Sequence, residues 1–403
     1  MRPESREPLA SRPGKPRARD LGILLGGTPG PLDAITDVAG VQVGHVTLIA
    51  GDGPLVVGQG PVRTGVTAVL PRGKISTDSV FAGCWALNGN GEMTGMAWVR
   101  ESGFLDGPVL LTNTHSVGVV RDAAAEWLVE RDARRAFALP VVAETFDGLL
   151  NDVNGLHVRR EHARAALDSA RGGPVAEGNV GGGTGMVCHL FKGGIGTASR
   201  LADTPLGRYT VGVLAQCNYG DRAELRIAGA PVGEAIADLL PCWSTDRRPT
   251  REWLRGWGAA CAPGAPTPPS PAAGRGSIIV VVATDAPLLP HQLERLARRP
   301  ALGIGKMGGV GANSSGDLFI AFSTANPGAA DPRQLASLRM LPNDALTPLF
   351  AATILATEAA IVNALLAAET MTGADGLRVY ALPHDRLLDV LRRDNRLAPA
   401  QPG

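Results

Sequence analysis

The sequence predicts an α/β (α+β) protein whose sheets are covered by helices, and three observations carry that prediction. Of its 403 residues, 44% are hydrophobic, enough to bury a sizeable core. Its 52 glycines follow no fixed period and only 4% of residues are aromatic, which fits a loop-rich fold with close backbone approaches rather than a fibrous chain. In each half, segments with strand character precede segments with helical spacing.

The elements can be justified in order. Residues 1–20 hold five arginines, a lysine and four prolines without an apolar run, so they read as a solvated, disordered tail and not as a secretory signal. Ordered chain is expected from Leu21. The segments "ITDVAGVQVGHVTLI" and "GVTAVLP" read as short strands divided by glycine turns. "HSVGVVRDAAAEWLVERDARR" and "EHARAALDSA" carry apolar residues at helical spacing. "RYTVGVLAQCNYG" is a strand ending on a polar turn, and residues 263–276 are a proline-rich linker. A strand from Ser277 follows, then a helix through "HQLERLARR", a glycine-rich loop "GIGKMGGVGANSSG" and the strand "DLFIAFST". Residues 346–368 are apolar enough to span a bilayer, but Thr353, Thr357, Glu358 and Asn363 interrupt them. With Asn343 and Asp344 as a cap and Gly373 as a stop, they read as a buried helix.

Composition excludes several function classes. With 39 basic and 38 acidic residues there is no net field to attract nucleic acid or an acidic membrane. The five cysteines (Cys84, Cys188, Cys217, Cys242, Cys261) are odd in number, scattered and without a CxxC pair. That suggests neither a disulfide framework nor a zinc site, so a reducing, cytoplasmic location is expected. No histidine pair has metal-ligand spacing, and no cofactor is expected. The stretches "GNVGGGTGM" and "GIGKMGGVG" satisfy neither the dinucleotide nor the P-loop pattern, since Met307 follows the lysine.

The most informative place is the seam at Gly276–Ser277, where the linker meets the β-branched run Ile278–Val282. A serine hydroxyl is a weak nucleophile until a base sits beside it. If the peptide bond before Ser277 is cut, the serine's own α-amine becomes that base, with a pKa of roughly 7.7–8.0 near working pH. Gly276 offers no Cβ to obstruct attack on its carbonyl. On composition alone, an ordinary linker before an ordinary strand is the simpler reading.

The blocks "LDAITDVAGVQVGHVTL", "NGNGEMTGMAWVRESGFLDGPVLLTNTHSVGVVRDA", "GNVGGGTGMVCHLFKGGIGTASR", "NSSGDLFIAFSTAN" and "ALLAAETMTGADG" change that balance. They resemble the DmpA family, the L-aminopeptidase/D-Ala-esterase/amidases and β-aminopeptidases, and the resemblance runs over nearly all of residues 21–390. It implies one αββα sandwich like that of N-terminal-nucleophile hydrolases, self-cleaved into 1–276 and 277–403, with 391–403 as a flexible tail. It also implies assembly into a homo-oligomer, tetramer or octamer, and a small peptide, amide or ester as substrate.

Residue by residue, the resemblance implies Gly276–Ser277 as the cleavage joint and Ser277 as nucleophile and, by its amine, base. It implies Ser315 and Asp317 of "NSSGD" as catalytic partners. Two apart on a strand, they share a face, and are expected to reach the hydroxyl and amine of Ser277. Asn218 of "AQCNYG" is the implied oxyanion donor, and Glu144 of "AETFDG" the implied receptor for a substrate ammonium. Phe146 departs from the pattern, since some members carry tyrosine there; the choice among L-, D- and β-aminoacyl groups is left open. Alternatives are an endo-amidase on oligoamides, against which the serine speaks because those relatives use threonine, and a non-cleaving binding protein on the same fold.

Overall fold

The computed structural model describes residues 15–132, 137–244, 251–254, 258–261 and 276–399. Ten strands build its two principal sheets. They are β1 (Gln42–Ala50), β2 (Val62–Leu70), β3 (Val80–Gly89), β4 (Phe104–Leu105), β5 (Val109–Asn113), β6 (Val141–Thr145), β7 (Gly194–Thr204), β8 (Gly207–Asn218), β9 (Gly276–Thr284) and β10 (Ser315–Ser323). One sheet has the order β1-β2-β5-β6 and the other β4-β3-β10-β9-β8-β7. The pairs β5/β6 and β9/β10 are parallel and the remaining neighbours antiparallel.

Strand alternation sorts the apolar residues into three layers. Ile279, Val281, Leu318 and Ile320 of the larger sheet meet Val109, Leu111, Val141 and Ala143 of the smaller one, forming the core between the sheets. The opposite face of the smaller sheet, with Val66, Leu110 and Val142, is covered by helices α1 (Val117–Arg131) and α2 (Arg160–Ser169). The opposite face of the larger sheet, with Ile278, Val280 and Phe319, is covered by α3 (Pro290–Ala297), α4 (Pro300–Lys306) and α5 (Thr347–Ala367). The result is a helix–sheet–sheet–helix sandwich. Central strands buried on both faces need continuous apolar runs, which is why β9 is β-branched through most of its length.

Helix α5 lies in that outer layer, preceded by a 3-10 turn at Asn343–Ala345. Its polar residues have internal partners. The hydroxyls of Thr353 and Thr357 donate to carbonyls one turn back, Glu358 pairs with Lys306, and Asn363 donates to the Thr197 carbonyl while accepting from the Ala18 amide.

Four expectations are corrected. The expected tail is folded from residue 15: the guanidinium of Arg17 is buried against Glu177 at 2.7 Å and the Thr197 carbonyl at 2.6 Å. The C-terminal segment is likewise tied down, because helix α6 (His384–Arg393) leads into a chain whose Leu397 bridges Ile23 and whose Ala398 amide donates to the Gly22 carbonyl. The two ends pack against each other, and a charged composition could not reveal that. "GIGKMGGVG" is not all loop, since α4 covers its first half with Pro300 at the helix start. Finally, Cys242 and Cys261 form a disulfide. The parallel bridge Cys242↔Ala259, Trp243↔Ala260 brings these distant cysteines together, and the argument for a reducing compartment loses its ground. The linker 263–275 lies outside the described residues.

Candidate active site

The site forms where β8 ends and β9 and β10 begin, beside the C-terminal ends of β5 and β6. Gly276 opens β9 with φ +141°, in the region that favours glycine, and a Cβ there would lie 2.1 Å from the Asn218 carbonyl oxygen. The joint therefore needs glycine on both conformational and steric grounds.

Ser277 is the register partner of Asn218 on β8 and of Gly316 on β10. By alternation with Ile279 and Val281, its side chain enters the layer between the sheets. Its Oγ accepts the Gly316 amide at 3.1 Å. Gly316 must be glycine too, because a Cβ there would lie 2.4 Å from the Asn90 carbonyl oxygen.

The Asn218 amide is held at both ends. Its Oδ1 accepts the Val187 amide at 2.8 Å and its Nδ2 donates to the Phe146 carbonyl at 3.0 Å. One hydrogen of Nδ2 is left for another acceptor. Gln216, on the same face of β8, donates to the Thr112 carbonyl and the Thr145 hydroxyl, fixing the strand to the ends of β5 and β6.

Ser315 and Asp317 are placed differently from expectation. They project with Phe319 to the helical face of the sheet, opposite the Ser277 hydroxyl. Ser315 donates to Asp317 at 2.5 Å, and Asn88 donates to the other oxygen at 3.3 Å. Gly276 and Ser315 are register partners and line one small cavity with Asp317 and Tyr219. The pair thus flanks the backbone of the joint and not the hydroxyl; sharing a face with each other did not mean sharing it with Ser277. Burial raises the Asp317 carboxyl above its ordinary range, opposed by the bonds from Ser315 and Asn88.

Glu144 is 3% exposed, the opposite of a solvated surface charge. Its carboxylate accepts the Glu92 amide at 3.0 Å and the Thr114 hydroxyl. A Cβ on Gly91 would lie 3.1 Å from Glu144 Oε1 and 3.3 Å from Gly316 Cα, so a single glycine separates Glu144 from the strand that contacts Ser277. Burial pushes its carboxyl upward, opposed by the Thr114 and Glu92 bonds. The Phe146 ring packs edge-on against Trp253, centroids 5.9 Å apart.

Sequence reasoning missed Lys192. It is fully buried, and its Nζ donates to the carbonyls of Met186 (2.7 Å), Gly193 (2.8 Å) and Gly183 (3.3 Å). It thereby closes the loop carrying Val187, the residue that orients Asn218. Burial lowers its pKa to about 7. A lysine beside "GGIGT" gives no sign in sequence of being buried. Among the described residues, no cluster of three metal-ligating side chains occurs.

This fold is shared with the L-aminopeptidase D-Ala-esterase/amidase of Ochrobactrum anthropi, a serine aminopeptidase prototype described as a variant of the Ntn hydrolase fold. That match has a TM-score of 0.83 and 44% identity, covering 95% of this chain and 100% of that one. A Burkholderia beta-aminopeptidase matches with a TM-score of 0.81 and 46% identity, over 96% of this chain and 100% of that one. Fold and likeness together define a hydrolase of the aminopeptidase class. The chain belongs to peptidase family S58, which residues 33–379 match. It is 55% identical over 388 residues to the beta-peptidyl aminopeptidase BapA of Sphingosinicella microcystinivorans, covering 96% of this chain and 94% of that protein.

Proposed function

We propose that the chain cuts itself before Ser277 and then uses Ser277 to release N-terminal residues from small peptides, amides or esters, β-aminoacyl groups included. The observation that carries this is the placement of Ser277 in register with Asn218 and Gly316, next to a glycine that nothing larger can replace.

In the self-cleavage, Ser277 Oγ attacks the Gly276 carbonyl carbon, the C–N bond breaks, and the hydroxyl proton passes to the departing nitrogen. Water then hydrolyses the ester, leaving a Gly276 carboxylate and a free Ser277 amine. Ser315 and Asp317, on the backbone side of the joint, serve that amine. In turnover the amine takes the Oγ proton and Oγ attacks the substrate's acyl carbon. The scissile C–N or C–O bond breaks with that proton passing to the departing amine or alcohol, and water hydrolyses the acyl ester on Oγ. Asn218 donates to the developing oxyanion, and Glu144 receives the substrate ammonium. The likeness to two beta-peptidyl aminopeptidases, 55% and 50% identical, supports including β-aminoacyl substrates.

The chain works as a homo-oligomer in this proposal, a tetramer or octamer, which light scattering on processed protein checks. The function itself is tested by incubating processed protein with L-, D- and β-aminoacyl p-nitroanilides. Release of nitroaniline by wild type and none by Ser277→Ala is expected; equal release by both would remove Ser277 from the mechanism.

A further inference from the structure

A cavity of about 200 Å³ opens beside the site and takes no part in the steps above. Its near wall is Phe146, whose carbonyl holds the Asn218 amide, and His115, next to the threonine that bonds Glu144. The far wall is Arg251 and Trp253, with Leu55 and Val153 completing the apolar lining. The cavity therefore shares Phe146 with the clamp on Asn218 and adjoins, through His115, the threonine bonded to Glu144.

The far wall is built to stay in place. Arg251 pairs with Asp375 at 3.2 Å and donates to the carbonyls of Gly148, Leu149 (3.2 Å) and Ala374 (3.3 Å). The segment carrying Arg251 and Trp253 is closed at its base by the Cys242–Cys261 disulfide. Beneath it, Leu254 is fully buried in a small cluster with Trp243 and Leu377.

Two charged residues of the lining, Arg251 and Asp152, have partners within the protein. Arg251 faces Asp375 and also feels Asp152, and Asp152 accepts the Gly58 amide and pairs with His157 at 2.8 Å. What the lining offers a ligand is the aromatic pair Phe146–Trp253 and the aliphatic Leu55 and Val153, with the side chains of His115 and Asn154 as polar neighbours. Aromatic pairs bind a further ring edge-on or offset.

We infer that this cavity is the specificity pocket for the side chain of the released residue, that it takes an apolar and preferentially aromatic group, and that Trp253 is its specificity-determining residue. This rests on the aminopeptidase reading above. It also explains a disulfide located away from the nucleophile: the bridge holds the wall that reads the substrate.

The test compares three β-aminoacyl p-nitroanilides, one with an unsubstituted β-alanyl group, one bearing a benzyl side chain and one bearing a lysine-like aminobutyl side chain, in wild type, Trp253→Ala, Trp253→Phe and Cys242→Ser/Cys261→Ser. Wild type should favour the benzyl substrate in kcat/KM. Trp253→Ala should lose at least tenfold on the benzyl substrate, chiefly through KM, and less than twofold on β-alanyl, which also reports that the variant is folded. Trp253→Phe should recover most of the loss, and the cysteine variant should lose in the same selective direction. Equal losses on the benzyl and β-alanyl substrates, or a wild-type preference for the lysine-like side chain over benzyl, would overturn the pocket assignment while leaving the aminopeptidase reading intact. Wild-type protein that cleaves none of the three substrates would overturn that reading and this inference with it.

Discussion

Asn218 and Ser277 are register partners across the antiparallel strands β8 and β9, so their side chains leave the sheet on the same face. The proposed oxyanion donor and the proposed nucleophile are therefore aligned by strand pairing itself. Loop conformation adds only the last adjustment, through Val187 and Phe146, which clamp the Asn218 amide.

The first prediction follows from the joint. Mature protein should run as two pieces, residues 1–276 and 277–403, the second having 403 − 276 = 127 residues. All five cysteines precede Ser277, so the Cys242–Cys261 bridge lies within the larger piece and the two should separate on SDS gels without reductant. Ser277→Ala should stay one chain. Gly276→Val should also block cleavage, because its Cβ would collide with the Asn218 carbonyl. Fully active, uncut wild-type protein would contradict this.

Much of this was legible in the chain because strands declare themselves. The β-branched run after Ser277, the polar end of "AQCNYG" and the apolar helix with its few polar residues each carry a local signal. The rest depends on which face a residue takes. Nothing local to "NSSGD" says that Ser315 and Asp317 project away from the nucleophile's hydroxyl; that follows from the parallel register Ser277↔Gly316. Likewise, Arg17 lies in a stretch as charged as any tail, and only its pairing with Glu177, 160 residues on, shows that it is buried.

A second prediction concerns Asn218. Asn218→Ala removes the proposed oxyanion donor and leaves the proposed amine receptor, Glu144, in place. In comparable sites, losing one such donor lowers kcat by ~10²–10³. Steady-state kinetics should show a fall of that size in kcat with little change in KM. A change confined to KM would assign Asn218 to binding instead.

A third prediction concerns Lys192. Its folded pKa, about 7, lies below its ordinary value of 10.5. Between those values the unfolded chain holds the extra proton, so this group makes stability rise as pH increases from about 7 toward 10.5, with no slope below 7. Urea unfolding of wild type minus Lys192→Met should show that rise. The variant should also lose kcat, because the loop that places Val187 against Asn218 is no longer closed by Nζ. A pH-independent difference with unchanged kcat would make Lys192 a packing residue alone.

The last prediction separates an aminopeptidase from a general amidase at Glu144. A carboxylate binding a substrate ammonium forms a charge-assisted hydrogen bond, typically worth ~1.5–3 kcal/mol. N-acetylated substrates lack that charge, so their hydrolysis should be at least about tenfold slower, since ~1.4 kcal/mol is one decade of rate. Glu144→Gln should therefore cost free-amine substrates far more than acetylated ones. Self-cleavage should survive, because the uncut chain presents no ammonium at that place. The pH profile supplies an independent check. Burial holds the Glu144 carboxyl above its ordinary range, so the ionised receptor is lost at a higher pH than an exposed glutamate would be. As pH falls, kcat/KM for free-amine substrates should drop on a limb displaced upward from the usual carboxylate range. In Glu144→Gln that limb should vanish. A limb that persists in the variant, or equal losses on acetylated and free-amine substrates, would place Glu144 outside amine recognition.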